Sequence, residues 1–263
     1  MSRTSYGLRG TTAVLTIERP ERRNAVDSET AAELLAGFRR FEADDQARVM
    51  VLTGSGELAF CAGADLKALA AAGPDVPAER IEAIAASAEG PMGFTRLTAS
   101  KPTIAAISGW ALAGGLELAL WCDLRIATAG SRFGYPERRW GVPLIDGGTL
   151  RLPRSVGLGR ALDLFLTGRI LASDEALAWG LLTEVVDEGR HLDRAIEIAD
   201  ALARFPQETM LSDRRSAIEG SALPLEEGLR FEAEVGRASI ATGLRGAGRF
   251  ADGAGRGGEG AGV

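Results

Sequence analysis

The sequence is poor in the side chains that bind transition metals. It has one histidine, His191, and two cysteines, Cys61 and Cys122, which lie far apart along the chain. No CxxC pair occurs, so neither a zinc site nor a disulfide framework is indicated. We therefore expect no bound metal and a reduced, cytoplasmic setting.

Long apolar runs and an excess of positive charge are also missing. No run of about eighteen uncharged apolar residues occurs, so we expect no membrane-spanning helix, and the first ten residues lack the apolar core of a secretory signal. The formal net charge of -6 repels nucleic acid, and no nucleic-acid-binding motif compensates for it. We expect neither a membrane nor a nucleic acid as a partner.

What the chain does contain is enough apolar sequence for a large core. It has 263 residues, of which 46% are hydrophobic, so one domain can fold without a metal or disulfide. Short apolar runs alternate with turns and helical patterns, which predicts an α/β fold with a repeated unit. The predicted strands are 14–17, 49–53, 103–107, 124–127 and 183–186.

The helical segments are predicted from apolar spacing and from turn residues. Ser28 is the expected N-cap of the first helix, and further helices are expected at 62–72 and 78–97. Residues 109–115 are expected to form a turn of small residues. From Ser155 onward the pattern is almost wholly helical. We divide the chain into a core at 1–190 and a helical C-terminal region at 191–263 that ends in a glycine-rich tail.

Two strand-to-helix turns have the composition of an anion site. Residues 59–67 and 101–119 each run from a strand, through small residues, into a helix. The first turn of a helix exposes unpaired backbone N–H groups, and small residues allow another group to approach the backbone. Two such amides that converge on one oxygen would form an oxyanion hole. Tight helix–strand packing is the alternative explanation for either turn alone.

These segments carry a resemblance to a known family. The pattern A-F-x-A-G-A-D-L/I-K is present at 59–67, and K-P-x-I-A-A-x-x-G-x-A-x-G-G-G-x-E-L is present at 101–118 with Ala113 in place of the first glycine. With the F-G-x-P-E pattern at 133–137, the chain resembles the crotonase (enoyl-CoA hydratase/isomerase) superfamily over nearly its full length. The resemblance implies a crotonase-like spiral of repeated β-β-α units followed by a C-terminal helical region.

The resemblance also implies where an acyl-CoA thioester would bind. By analogy, the backbone amides of Ala62 and Gly114 form the oxyanion hole. Coenzyme A, as part of the substrate rather than a separate cofactor, would lie along residues that share the first turn and the segment before the first helix, namely Ala25, Val26, Ala62, Ala64, Asp65 and Leu66. Arg22 would meet a phosphate, although a solvated basic turn explains it equally well.

Two glutamates are the expected catalytic pair. Family hydratases resemble one another in using one glutamate after the oxyanion glycines and one in F-G-x-P-E, which are Glu117 and Glu137 here. A lone glutamate on a helix is usually solvated. Glu117, however, lies between Leu116 and Leu118, and a buried carboxylate must pair or perform proton chemistry. The resemblance implies that Glu117 activates water and that Glu137 gives a proton to the α-carbon.

One position departs from the family pattern. Asp146 stands where a small residue is expected; we favour it as the cap of a helix that begins at Gly147, and a third acid in the pocket is the alternative.

This departure leaves the reaction open between an enoyl-CoA hydratase, which the two glutamates favour, and an isomerase or another crotonase-type lyase or hydrolase. A non-catalytic CoA-binding module is a further alternative. A serine protease needs a serine–histidine pair, and we place His191 at the surface start of a helix.

The C-terminal helices are expected to mediate assembly. The apolar residues Leu229, Phe231, Val235 and Ile240 would leave an exposed stripe on an isolated helix. The resemblance implies a homotrimer or a homohexamer.

Overall fold

The strands of the computed structural model, which describes residues 2–71, 73 and 77–253, form two sheets. The larger sheet has the order β1-β2-β3-β5-β7-β10 and is parallel except for the β1–β2 pair. The smaller sheet has the order β4-β6-β8-β9, with only the β8–β9 pair antiparallel. The strands are β1 (Thr4–Arg9), β2 (Thr12–Ile17), β3 (Val49–Gly54), β4 (Ala59–Cys61), β5 (Thr103–Ile107), β6 (Trp110–Leu112), β7 (Leu124–Thr128), β8 (Arg132–Gly134), β9 (Ile170–Ala172) and β10 (Glu184–Val186).

The helices follow pairs of strands and then continue alone. The order β-β-α occurs four times, as β1-β2-α1, β3-β4-α2, β5-β6-α4 and β7-β8-α5. The part of the chain after β10 is helical, which confirms the predicted fold class. The helices are α1 (Ser28–Ala43), α2 (Leu66–Ala71), α3 (Ala78–Ala86), α4 (Gly114–Trp121), α5 (Gly148–Val156), α6 (Leu158–Thr167), α7 (Ser173–Ala178), α8 (His191–Arg204), α9 (Gln207–Arg215), α10 (Leu225–Arg237) and α11 (Ile240–Ala251).

The larger sheet is covered on both faces. Every residue of β3 and of β5 is buried, which is why these strands are continuous apolar runs rather than alternating ones. On one face, Ala195 and Ala199 of α8 pack against the sheet, and the main core lies on the other face. Helix α8 therefore packs against the larger sheet on the face opposite the main core, and the division of the chain at residue 190 stays a prediction.

Several element boundaries differ from the sequence prediction. Asp27, not Ser28, is the N-cap of α1, and its side chain accepts a hydrogen bond from the Thr30 amide. The helix predicted at 78–97 ends at Ala86, because the chain then turns so that Met92 and Phe94 can enter the core. Strands β1, β6, β8 and β9 were not predicted, and α5 begins before Ser155. The turn predicted at 109–115 instead contains β6 and the first residues of α4.

Other predicted features lie partly outside the described residues. The helix predicted at 62–72 begins at Leu66, and its predicted last residue, at position 72, is not described. In the glycine-rich tail, α11 extends to Ala251, and positions 254–263 are not described. His191 is buried, with 6% of its surface exposed, which corrects the prediction of a surface position. Among the described residues, no helix is long and apolar enough to cross a membrane.

A buried polar network fixes the segment between β2 and α1. Arg19 is 8% exposed, and its Nη2 lies 3.0 Å from a carboxylate oxygen of both Asp27 and Asp65. The side-chain amide of Asn24 donates to the carbonyls of Ser55 and Ala59 at 3.0 and 2.7 Å. Because buried charges and amides are stable only when they are paired, this network joins the segment to the turn after β4.

The β4–α2 and β6–α4 junctions are in direct contact. A Cβ on Gly63, which has φ +90°, would lie 2.9 Å from the Ala113 Cβ and 3.0 Å from the Gly114 nitrogen. A Cβ on Gly115 would lie 2.0 Å from the Cys61 carbonyl oxygen. Glycine at these positions therefore lets the two junctions approach at backbone distance.

We expect Gly115→Ala to destabilise the fold by about 2 kcal/mol or more, because the new methyl overlaps a main-chain oxygen. Gly159→Ala is the matched control, since Gly159 lies in α6 with nothing within 4 Å of its added Cβ; it should be neutral or slightly stabilising. Urea denaturation measures both changes. Equal stability of the two variants would contradict the close junction contact.

Candidate active site

A cavity of about 660 Å³ lies against both junctions. Most of its walls are apolar, and the polar atoms come from few places, as is usual for a pocket that binds a small molecule. It is lined by Val26, Asp27, Ser28, Ala31, Ala62, Ala64, Asp65, Leu66, Ala68, Leu69, Arg80, Ile84, Pro91, Met92, Ala113, Gly114, Glu117, Pro136, Glu137, Trp140, Val142, Pro143, Leu144, Ile145 and Asp146.

Glu117 enters this cavity from α4, whose eight residues are all buried. Its side-chain Oε1 accepts hydrogen bonds from the amides of Asp146 at 3.0 Å and Gly148 at 2.8 Å. Burial, the largest effect, raises the pKa of Glu117 to about 7, and the nearby charges of Asp146 and Glu137 act in the same direction. The two amides oppose this shift because they stabilise the carboxylate.

Glu137 reaches the same cavity from the short 3-10 helix Pro136–Trp140. It is 5% exposed, and none of the other residues that the structure describes donates a hydrogen bond to either carboxylate oxygen. Burial raises its pKa to about 7, although its own backbone amide and the Arg138 charge act in the opposite direction. A buried carboxyl group without donors from its neighbours is more stable when it is protonated.

The two glutamates therefore lie in one cavity but in different environments. The amide donors at Glu117 favour its ionised form, whereas the lack of donors around Glu137 favours its neutral form. Paired titratable groups in contrasting environments are suited to act as one base and one acid. Because each charge affects the other, the pair titrates as a unit.

Of the two backbone amides predicted to form the oxyanion hole, one already donates a hydrogen bond within the protein and the other does not. The Ala62 amide donates to the Arg23 carbonyl at 3.0 Å, so the structure does not support the predicted role of Ala62 as an oxyanion donor. In the described part of the chain, the amides of Ala64 and Gly114 have no acceptor. Both residues line the cavity, and a Cβ on Gly63, the residue before Ala64, would lie 3.0 Å from the Gly114 nitrogen.

Ala113 precedes the second of these amides in an unusual conformation. Its φ and ψ are 51° and -126°, at the N-cap of α4. An alanine at positive φ is strained, by about 1–3 kcal/mol, and such strain is held in place by surrounding structure. The amide of Ala113 itself donates to the Gly134 carbonyl at 3.0 Å, which ties this residue to β8.

The residues expected to contact coenzyme A fall into two groups. Those that line the cavity are Val26, Ala62, Ala64, Asp65 and Leu66, whereas Ala25 and Arg22 do not line it. Ala25 is buried, and its carbonyl accepts a hydrogen bond from Arg19. Arg22 is exposed. The Asp65 side chain pairs with Arg19 and accepts the Ala68 amide at 3.2 Å, so it also orders the first turn of α2.

Asp146 does not cap α5. The N-cap of that helix is Gly147, without a side-chain hydrogen bond, and the Asp146 carboxylate instead accepts the Met92 amide at 3.0 Å and the Thr95 hydroxyl. Asp146 is 4% exposed and lines the cavity, and burial raises its pKa. The favoured interpretation was therefore wrong, and the acid does lie at the pocket.

Sequence reasoning missed several residues around the glutamates. Tyr135 lies behind the pair, while Met92 and Trp140 line the cavity. The Met92 position depends on the unpredicted turns after α3, and neither spacing nor composition distinguished Trp140 from a surface residue. Only Tyr135 had a signal, since it lies inside the F-G-x-P-E pattern.

Comparison with known proteins gives consistent matches over most of the chain. A family model described as Enoyl-CoA hydratase/isomerase matches residues 8–251. An (E)-benzylidenesuccinyl-CoA hydratase from Thauera aromatica is 35% identical and covers 83% of each chain, and a short-chain-enoyl-CoA hydratase from Clostridium acetobutylicum is 36% identical over 86% of this chain and 85% of its own. The crystal structure of an enoyl-CoA hydratase from Mycobacterium marinum superposes with a TM-score of 0.86 at 32% identity, covering 96% of each chain.

We expect Glu117→Gln to stabilise the protein at alkaline pH. The pKa of Glu117 is raised in the folded state from 4.5 to about 7, so the unfolded chain releases this proton first and stability falls as the pH rises through that window. Glutamine keeps the two amide bonds without the charge. The variant should gain up to about 3 kcal/mol at about pH 8 and nothing at about pH 4.

Thermal or urea unfolding over this pH range measures the effect. Glu226→Gln is the control, because that side chain is 90% exposed and its variant should follow the wild type at every pH. A pH-independent difference between Glu117→Gln and the wild type would contradict the assignment of a raised pKa to this residue.

Proposed function

The chain belongs to the enoyl-CoA hydratase/isomerase family, and we propose that Glu117 and Glu137 act as the base and the acid of its reaction. The activity is that of an enoyl-CoA hydratase, a hydro-lyase that adds water across the 2,3 double bond of an enoyl-CoA. The residue roles follow from the environments of the two glutamates and from the free amides beside them.

The thioester carbonyl oxygen is held by the amides of Ala64 and Gly114. Negative charge builds on this oxygen when a nucleophile attacks the β-carbon, and two fixed N–H donors stabilise the resulting enolate. Gly114 is also the first residue of α4, so the positive end of the helix adds to the effect. Ala64 replaces Ala62 in this assignment because only the Ala64 amide is free.

The two carboxyl groups deliver water to one face of the substrate. Ionised Glu117 takes a proton from a water molecule, whose oxygen bonds to the β-carbon while the double-bond electrons move toward the thioester oxygen. Neutral Glu137 then gives its proton to the α-carbon. Both groups line the same cavity, which gives syn addition, and a proton passed between them restores the starting state. Coenzyme A is part of the substrate, and the residue chemistry needs no separate cofactor.

The observation that carries this proposal is the contrast between the glutamates. Glu117 accepts two main-chain hydrogen bonds, whereas Glu137 is buried without a donor from another residue. An enoyl-CoA isomerase that shuttles a proton with one carboxylate needs only one such group. A non-catalytic CoA-binding module would gain nothing from burying either carboxyl group, since burial costs stability.

We expect Glu117→Gln and Glu137→Gln each to lower the hydration rate by 10²–10⁴-fold, because each removes one proton-transfer step. Loss of the enoyl absorbance, measured over a panel of enoyl-CoA thioesters of increasing size, reports the rate, and mass spectrometry identifies the hydrated product. Glu226→Gln should keep wild-type activity. Migration of the double bond of a 3-enoyl-CoA without any hydration of 2-enoyl-CoAs would instead favour the isomerase.

The C-terminal helices supply a surface for assembly, and the trimer or hexamer is part of the proposal. Leu225 and Leu229 on α10 and Ile240 and Leu244 on α11 are 55–80% exposed. Each pair is four residues apart, so each forms an apolar stripe on one helix face. The two free cysteines, both buried, fit a reducing cytoplasmic setting.

We expect a solution mass of three or six times the monomer mass at micromolar concentration. Size-exclusion chromatography with light scattering measures it, and Leu244→Glu, which places a charge in the stripe, should shift the population toward smaller species. Leu166→Glu is the control, since Leu166 on α6 is 74% exposed outside the C-terminal helices. A monomeric wild type would refute the assembly.

A further inference from the structure

Three buried polar atoms at the proposed catalytic pair have no hydrogen-bond partner among the other described residues. They are the hydroxyl of Tyr135 and both carboxylate oxygens of Glu137. Buried polar groups are almost always paired in folded proteins, because an unpaired group loses its hydration without compensation. Unpaired atoms at one site therefore mark contacts that form in another state of the site.

The Tyr135 hydroxyl lies beside Glu117. Tyr135 is 1% exposed, and its ring packs on Phe165 with 5.3 Å between centroids. The point that a Cβ on Gly148 would occupy is 2.7 Å from the Tyr135 hydroxyl and 3.0 Å from the Glu117 Oε1. Since the Gly148 amide already donates to that Oε1, the phenol and the amide approach the carboxylate from the same side.

The charges around Tyr135 keep its hydroxyl protonated. Burial, followed by the charges of Glu117 and Glu137, raises the pKa of Tyr135, and only Arg151 acts in the opposite direction. A phenol with a raised pKa is a hydrogen-bond donor at every pH at which the glutamates titrate.

Arg151, the cation whose charge acts on Tyr135, does not form an ion pair with Glu117. The Arg151 guanidinium donates to the carbonyls of Asp146 and Thr95 at 2.9 and 2.6 Å. Within the described part of the chain, Glu117 forms no ion pair, and its remaining charged neighbours, Asp146 and Glu137, are acidic. Tyr135 is thus a side-chain donor available to the base in an otherwise acidic surrounding.

We propose that Tyr135 is a positioning residue whose hydroxyl donates a hydrogen bond to the Glu117 carboxylate when substrate fills the cavity. Tyr135 does not line the cavity and does not touch the substrate. It acts through Glu117 by stabilising the ionised base, while Glu137, which has no such donor, keeps its proton. Hydrogen bonds of catalytic groups are often long in the empty site and shorten in the substrate complex.

This proposal rests on the proposed roles of the glutamates, and Tyr135→Phe tests it. The variant should move the acidic limb of the kcat profile to higher pH by about one unit, because a lost bond to a carboxylate favours its protonated form. At a pH above the limb, kcat and KM should stay within about twofold of the wild type. An unchanged limb would overturn the proposal.

Tyr6→Phe is the matched control. Tyr6 also has a buried hydroxyl beside a carboxylate, that of Asp44, but it lies on β1 outside the cavity and its ring packs against Arg40. Its variant should keep the wild-type pH profile. A limb that moved equally in both variants would also overturn the proposal, since the shift would then not depend on proximity to Glu117.

A second measurement uses no reacting substrate and separates this proposal from the function itself. With a saturated acyl-CoA bound in the cavity, the loss of thermal stability on going from about pH 5 to pH 9 should be larger in Tyr135→Phe than in the wild type, because the raised pKa of Glu117 rises further. Without the ligand, both proteins should lose the same stability, since the bond is then absent from both. Placing Tyr135→Phe in the Glu117→Gln background should abolish that difference. A difference that persisted without the Glu117 charge would contradict the inference, whereas absence of hydration by the wild type would contradict the proposed function alone.

Discussion

The close approach of two strand-to-helix junctions is the constraint on which the site depends. Gly63 and Gly115 remove the side chains that would separate the β4–α2 and β6–α4 connections, so main-chain atoms of one junction touch those of the other. This contact brings the free amides of Ala64 and Gly114 to one cavity wall. Each junction ends a strand of the smaller sheet, and the β4–β6 pairing sets their register. The proposed oxyanion site is therefore a product of backbone geometry and needs no cationic side chain.

Burial then turns ordinary carboxyl groups into proton carriers. Removing Glu117 and Glu137 from water raises both pKa values to about 7, a shift that costs folding free energy at neutral pH. The hydrogen bonds around each glutamate then determine which of its two protonation states is favoured. Two amides bias Glu117 toward the carboxylate, whereas burial without a donor from another described residue biases Glu137 toward the acid. The protein trades stability for a pair of groups that can exchange protons near neutral pH.

Features that depend on local sequence patterns were predicted correctly, whereas hydrogen bonds between residues far apart in the sequence were not predicted. The α/β repeat followed from apolar runs and turn residues, and the burial of Glu117 followed from its apolar neighbours. The choice of Ala62 failed because its amide is taken by Arg23, a residue almost forty positions away that no local pattern connects to it. Asp146 is a residue type that often caps a helix, and it directly precedes Gly147. Its carboxylate instead accepts a hydrogen bond from the Met92 amide, in the turn after α3. The sequence did not predict that turn, because the alanine-rich segment at 78–97 favours one long helix. The helix ends at Ala86 because Met92 and Phe94 pack in the core.

The strained conformation of Ala113 determines which way the Gly114 amide points in the proposed oxyanion site. A half-turn of the peptide plane between Ala113 and Gly114 would move Ala113 toward the left-handed helical region, which an alanine tolerates better than its present conformation. The same rotation would point a carbonyl, rather than an N–H, at the thioester. Gly63 and Met92 lie close to this peptide: a Cβ on Gly63 would lie 3.0 Å from the Gly114 nitrogen, and a Cβ on Gly114 would lie 2.7 Å from the Met92 Sδ. The polarity of this part of the cavity wall is therefore set by the orientation of one peptide plane, independently of every acid and base around it.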